Sequence, residues 1–390
     1  MRHWNILLHL TTEVKTMAEK KQRRVTESEK RRHRKAVKRN RFLAKLGIFA
    51  LVVCLVVFGV NKFISSRYQT GEQIDNDIKT ADDLKDKVVN VLVCGIDYER
   101  GRDLGMTDVI MYVTLDVEGN KVSAMQIPRD VYIGDDVKTG GTKKINGVYA
   151  HGDEENQIMN LVKAINDKLE LKVDHYVTLD MDALVEMVNW IDWGFEMYVP
   201  CEIVLEDKAT GNTKVLIKEP GWYTLTGEEV QLIVRNRNYG SADTQRAEVQ
   251  RYFYASLIKN FTENLTVSDF IKVMNRFTQY LTTDMHWTKI ASMAKFGFSV
   301  DFNDMTLIKP ATHGYNVIYE GKTRELNIQH FVKEDLAETL NTYFRPYQDP
   351  VSADQLEIPG APPKGEVTRD WGVVAASTTT IGALLAGAQQ

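Results

Sequence analysis

Three apolar runs follow one another between Val88 and Asp130, in VVNVLVCGIDYERGRDLGMTDVIMYVTLDVEGNKVSAMQIPRD. The first, Val88 to Ile96, ends at Gly95-Ile96-Asp97. The second, Asp108 to Asp116, follows a polar, glycine-containing loop. The third, Lys121 to Ile127, follows the turn Glu118-Gly119-Asn120 and ends at Pro128-Arg129-Asp130. Short runs rich in Val and Ile and bounded by turn residues predict strands. If these strands are neighbours, Asp97 and Asp108 meet at one sheet edge, with Arg129 beside them. Two readings of this trio stand at this point: aspartates that cap turns plus a surface arginine, or two acids and an arginine that hold a metal-bound phosphate.

Farther along, strands alternate with helices. Asp153 caps a helix from Glu154 to Leu169, with Ile158, Leu161, Val162 and Ile165 at helical spacing. Val173 to Leu179 alternates as a strand and carries His175, read as structural because no second ligand stands at metal spacing. Asp182 to Trp190 is a short amphipathic helix; Phe195 to Pro200, Ile203 to Leu205 and Thr213 to Lys218 are strands. The pattern predicts an α/β fold, a central mixed sheet flanked by helices. Thr226-Gly227-Glu228-Glu229 starts a helix that finishes near Val234, after which Arg235 and Arg237 point the same way on an extended segment. Asp243 caps a helix running to Asn264; it places Asp243, Arg246 and Gln250 on one face and Tyr252, Leu257 and Ile258 on the core side. That polar face is either a solvated set of ion pairs or part of an anion site. On the second reading four arginines, Arg129, Arg235, Arg237 and Arg246, converge on one anion, a task suited to the planar, permanently charged guanidinium. Residues 266–345 read as mainly helical, with a strand near Met305 to Ile308. Residues 346–390 carry Pro359, Pro362 and Pro363 and read as a linker and disordered tail. Within it, Trp371 to Ala388 is apolar enough that a partner-docking segment or a second membrane span is the alternative.

The start of the chain has a different pattern. Residues 1–45 are dominated by KKQRRVTESEKRRHRKAVKRNR, and residues 15–45 hold 14 Lys/Arg against 3 Glu. Residues 46–64 follow as a nearly uncharged span, with Phe42 to Ile64 long enough to cross a bilayer and Lys45 and Lys62 able to snorkel. A basic block ahead of an uncleaved anchor predicts a cytoplasmic N-terminus, a single-pass position in the cell membrane and an extracellular main domain. Residues 65–84 form a polar stalk. Residues 65–390 hold 33 Lys/Arg against 49 Asp/Glu, an acidic balance that argues against general nucleic-acid binding. Binding of DNA by the basic arm is the competing explanation for its charge. Three cysteines, Cys54, Cys94 and Cys201, give no disulfide framework and read as small apolar groups.

Several of these segments together resemble the LytR-CpsA-Psr family of bacterial envelope phosphotransferases. They are GID at 95–97, TDVIM at 107–111, IPRD at 127–130, KING with YAHG at 144–152, LTGEEV at 225–230, VRNR at 234–237 and the D-x-x-R-x-x-x-Q helix at 243–250. The resemblance covers about residues 85–265 and extends toward 345, so 85–345 is taken as one extracytoplasmic catalytic domain. It implies a polyprenyl pyrophosphate-linked glycan as donor, its apolar tail in a lipid-binding tunnel, and peptidoglycan as acceptor. By the same resemblance Asp97 and Asp108 hold Mg²⁺, and Arg129, Arg235, Arg237 and Arg246, with Gln250 beside them, contact the pyrophosphate. Asp97, Asp108 and Arg129 are then the catalytic set, with either aspartate accepting the acceptor's proton or both serving only as ligands. A non-catalytic lipid-phosphate scaffold and a membrane-tethered transcriptional regulator are the alternatives. Met106 and Val249 stand where the family usually carries arginine, and Arg100 or Arg102 is the expected substitute for the first.

Overall fold

The computed structural model describes residues 87–98, 105–190, 194–206, 210–236, 238, 242–264, 280–285, 296 and 300–388. The expected basic arm, membrane span and stalk, together with Arg100, Arg102 and Arg237, lie outside these residues. No helix among the described residues is long and apolar enough to cross a membrane.

The chain opens with β1 (Val88–Asp97), β2 (Met106–Asp116) and β3 (Lys121–Gln126), close to the three runs read from the sequence. A single turn α1 (Val148–His151) and α2 (Gln157–Leu169) follow, then β4 (His175–Asp180) and α3 (Met181–Asn189). Next come β5 (Phe195–Val199), β6 (Ile203–Glu206), β7 (Thr213–Ile217) and β8 (Gly221–Leu225), then α4 (Gly227–Arg235) and α5 (Ala242–Asn264). The last part holds β9 (Leu281–Thr283), β10 (Thr306–Lys309), β11 (Thr312–Tyr319), β12 (Glu325–Phe331), α6 (Lys333–Tyr343), β13 (Gly365–Val374), β14 (Ser377–Thr380) and α7 (Ile381–Gly387).

The central sheet is mixed, in the order β14-β10-β3-β2-β1-β4-β9. β1 and β2 pair antiparallel, as do β2 and β3, whereas β1 with β4 and β3 with β10 are parallel. Because side chains alternate across a strand, an unbroken apolar run buries both faces. Leu92, Cys94 and Ile96 of β1 enter one core with Ile158, Leu161 and Ile165 of α2 and Leu336 and Leu340 of α6. Val89 and Val91 enter the opposite core, with Ala255 and Ile258 of α5 and Ile381 and Leu385 of α7. Burial in the first core pushes the Cys94 thiol up, which leaves it an unreactive apolar filler.

α5 has apolar residues on more than one side because it lies between two cores. Val249, Phe253 and Leu257 belong to a separate cluster with α3, β5, β8 and α4. The strands at 195–225 make two hairpin-like pairs, β5 with β8 and β6 with β7, outside the central sheet.

Two expectations are corrected. Residues 312–331 are β11 and β12, not a continuation of a helical region, whereas β10 is the strand expected near Met305 to Ile308. The supposed linker and disordered tail, 346–390, contains β13, β14 and α7. β13 hides almost none of its side chains, so it carries no alternation to read; it is held by its backbone ladder to β11. β14 is the polar run STTT, paired with β10 at one edge of the central sheet.

Candidate functional site

The bend between β1 and β2 places both acids. The register passes from Gly95 opposite Val109 to Ile96 opposite Thr107, so Asp108 is the extra residue of a bulge. A bulge turns its side chain off the regular alternation and is common beside functional sites. Asp97 is the last residue of β1, opposite Met106. Both carboxylates face one large cavity of about 1630 Å³, which Arg129, Arg235, Arg246 and Gln250 also line.

Each acid meets an arginine from a distant segment. Arg129 Nη1 donates to Asp108 Oδ1 at 2.5 Å, and Arg235 Nη2 donates to Asp97 Oδ2 at 2.6 Å. The trio at the sheet edge is therefore not a set of turn caps.

The IPRD and KING segments fix Arg129 together. Pro128 O accepts from Val131 N in a tight turn, and Arg129 O accepts from Asn146 N at 3.2 Å. Asp130, buried beneath, binds Lys144 Nζ at 2.7 Å and lies 3.7 Å from Arg129 Nε. Burial alone pushes the Asp130 carboxyl up, but Lys144 and Arg129, with Arg246 behind them, outweigh it and hold the group below the ordinary value. Lys144 and Asp130 were not singled out from the sequence, although both lie inside motifs that were.

Arg235 is placed by the LTGEEV segment. Thr226 caps α4: its Oγ1 accepts from Glu229 N, and Glu229 Oε2 accepts from Thr226 N at 2.9 Å. Gly227 lies so close to α3 that a Cβ there would stand 2.3 Å from Val185 O. Arg235 ends the helix, where the carbonyl end of the dipole favours a cation. Asn236 then turns extended, at φ −57 and ψ 143, and directs the chain away.

On α5, Gln250 accepts from Gln126 Nε2 at 3.0 Å and donates to Val234 O at 3.4 Å, joining β3 to α4 at the cavity wall. Arg246 lines the same wall, one turn earlier. Tyr254, another turn on, was missed from the sequence. Burial pushes its hydroxyl up, and the charge of Asp108 pushes it further. Val249 is fully buried in the cluster that holds Val234 and Phe253, so this position faces that separate cluster and leaves no room there for a guanidinium. Met106 lines the cavity. His175 has its Nδ1 2.9 Å from Asp284 Oδ2 at the sheet end. Among the described residues, no group of three or more His, Cys, Asp or Glu side chains gathers as a ready-made metal cage.

A family model matches residues 56–338, nearly three quarters of the chain. The chain belongs to the LytR_cpsA_psr family. The relatives of known name include a polyisoprenyl-teichoic acid–peptidoglycan teichoic acid transferase, TagV, of Bacillus subtilis, 26% identical over 212 residues. That match covers 53% of this chain and 52% of the relative, so the chain spans about half the length of that protein. TagU of Bacillus mycoides, named for the same activity, is 26% identical over 56% of this chain and 68% of its own. The crystal structure of Bacillus subtilis TagV has the same mixed α/β fold, with a TM-score of 0.51 and 19% identity, covering 70% of this chain and 99% of that one. This likeness agrees with the central mixed sheet flanked by helices, and the family assignment agrees with the order of motifs from GID to the α5 helix.

Proposed function

We propose that this family member transfers a glycan, as its glycosyl phosphate, from a polyprenyl pyrophosphate carrier to peptidoglycan. The observation that carries the reading is the pairing of Asp108 with Arg129 and of Asp97 with Arg235 on one cavity. The activity for which the TagV and TagU relatives are named supports the same reaction class.

The donor set fits Mg²⁺. Asp97 and Asp108 offer only oxygen, and Mg²⁺ is held by one or two carboxylates together with substrate phosphate oxygens. When bound there it supplies charge neutralisation at the pyrophosphate. The arginines now on the carboxylates are released to the phosphate oxygens as the diphosphate enters, exchanging one anion for another without leaving a bare buried charge. Arg246 adds a further cation on the same wall.

A sugar hydroxyl of peptidoglycan attacks the phosphorus nearest the glycan. The new P–O bond forms as the bond to the bridging oxygen breaks, and polyprenyl phosphate departs with that electron pair. The glycan ends on the acceptor through a phosphodiester. The hydroxyl proton passes to Asp97 or Asp108. Phosphoryl transfer of this kind relies on positioning and charge, which the paired acids and arginines provide without a covalent intermediate. The apolar side chains of Ile110, Ile127, Leu232 and Val234 on the cavity wall support a place for the carrier's tail beside the phosphates. Residues 46–64 anchor the chain in the cell membrane with the transferase domain outside and residues 1–45 in the cytoplasm.

The test is reconstitution of the full-length chain with lipid-linked glycan, Mg²⁺ and peptidoglycan oligomers. Phosphodiester-linked product with the wild type, absent with Arg129→Ala, is the expected result. Binding of the donor without turnover would replace the transferase with a lipid-phosphate scaffold.

A further inference from the structure

The pyrophosphate site accounts for only part of the charge on the cavity. Nine basic side chains line it against six acidic ones, in a chain that is otherwise acidic beyond residue 65. Much of the excess lies away from the Asp–Arg pairs, on the approach to β13 and on the turn between β11 and β12, where two cations stand against the one carboxylate of Glu320.

Lys322 and Arg324 sit on that turn, and Lys364 is brought beside it by the Glu320 N to Lys364 O hydrogen bond. All three are exposed and line the cavity. Among the described residues, none of the three has a carboxylate within ion-pair distance. Lys143 contrasts with them: it is tied to Asp135 Oδ1 at 2.5 Å and stands 5.5 Å from the Tyr319 ring centroid, so it joins the turn to the segment behind Arg129.

We propose that Lys322, Arg324 and Lys364 form a second anion subsite at the rim of the cavity, which takes the phosphodiester backbone of the polymer being transferred. The proposal deepens the transferase reading and rests on it for the identity of the polymer. An acidic domain repels a polyanion, so a local positive rim is what lets such a chain approach the cavity. Each exposed cation contributes little alone. A polymer with a charge on every repeat engages several at once and releases its counter-ions, so the contribution rises with chain length and falls with salt. A donor carrying only one or two neutral sugars has no backbone charge for the rim to engage and gains nothing from it.

Binding of soluble poly(glycerol phosphate) to the full-length protein, measured across a salt series, tests the subsite. Lys322→Ala/Arg324→Ala/Lys364→Ala is expected to weaken binding about 10-fold at low salt and to reduce the log–log salt slope by roughly 2. Unchanged affinity and slope would overturn the proposal. So would polygalacturonate, a carboxylate polymer, binding as tightly and through the same residues. In transfer assays the triple variant is expected to raise KM for a long phosphodiester donor and to leave a neutral disaccharide donor unaffected; equal loss on both donors would mean a structural role and sink the subsite. A wild type that binds the polymer through these cations yet transfers nothing would remove the transferase reading and leave the subsite standing.

Discussion

Arg235, the last residue of α4, donates to Asp97, the last residue of β1, across 138 positions of sequence at 2.6 Å. The pair joins the central sheet to the lobe built around α4, and Arg129 with Asp108 repeats the arrangement from within the sheet. Exposed ion pairs of this kind add little to stability; the Arg235 side chain is 42% exposed. Arg235→Ala is therefore expected to change unfolding free energy by less than about 1 kcal/mol and to slow transfer about 100- to 1000-fold, the loss typical of one preorganised charge partner. Thermal unfolding and transfer rates of the same preparation check both halves.

Arg129 offers a planar fork, so charge alone is not a substitute for it. Arg129→Lys keeps the cation but cannot make two parallel bonds to phosphate. Its transfer rate is expected to stay well below wild type, above Arg129→Ala, with the larger change in kcat.

Asp130 gives the domain a dependence on acid. Its carboxyl is held low in the fold, so the stability it contributes is complete above the ordinary aspartate value near 4 and is lost as pH falls through the lower folded value. Asp130→Asn is expected to flatten that acid-side loss. Lys144→Ala removes the nearest partner of a buried charge, at a cost of about 3 kcal/mol at neutral pH. Denaturant unfolding from pH 2 to pH 7 measures both.

Gly227 links packing to chemistry. A methyl group at 2.3 Å from Val185 O forces α3 and α4 apart. Gly227→Ala is expected to cost about 1–3 kcal/mol of stability and also to lower transfer, because α4 carries Arg235. A variant that loses stability but transfers normally below its unfolding temperature would show that Arg235 does not depend on this contact.

The C-terminal strands are part of the fold. Removing residues 365–390 deletes β13, β14 and α7, including buried Ile381 and Leu385, and leaves Arg251 without its 2.6 Å bond to Ser377. The truncated chain is expected to lose several kcal/mol and to aggregate through the uncovered edge of β10. A soluble truncated chain with wild-type unfolding behaviour would contradict this.

The parts of this molecule that were legible in sequence are those where chemistry or burial imposes a pattern. β1 alternates into two apolar cores and so reads as a buried strand; Thr226 and Glu229 make a capping box with a recognisable spacing. The acids and arginines could be nominated because motif order brought them together, and Asp97, Asp108, Arg129, Arg235, Arg246 and Gln250 all line one cavity. The bulge that turns Asp108 inward leaves no trace in residue types. β13 and β14 expose or mix their side chains, so neither period appears, and their pairing with β11 and β10 runs through the backbone ladder, with polar side-chain bonds such as Trp371 to Asn316 added on β13. Lys144 and Asp130 were hidden for a different reason: a buried ion pair between segments 14 residues apart is invisible until the chain turns back on itself.

The central claim is that the two Asp–Arg pairs act on one pyrophosphate. Calorimetric titration of the full-length chain with a short polyprenyl pyrophosphate, with and without Mg²⁺, tests it most directly. Binding that requires Mg²⁺ and weakens about 10-fold or more in both Arg235→Ala and Asp97→Asn is the expected result. Wild-type affinity in both variants, or binding indifferent to Mg²⁺, would contradict it.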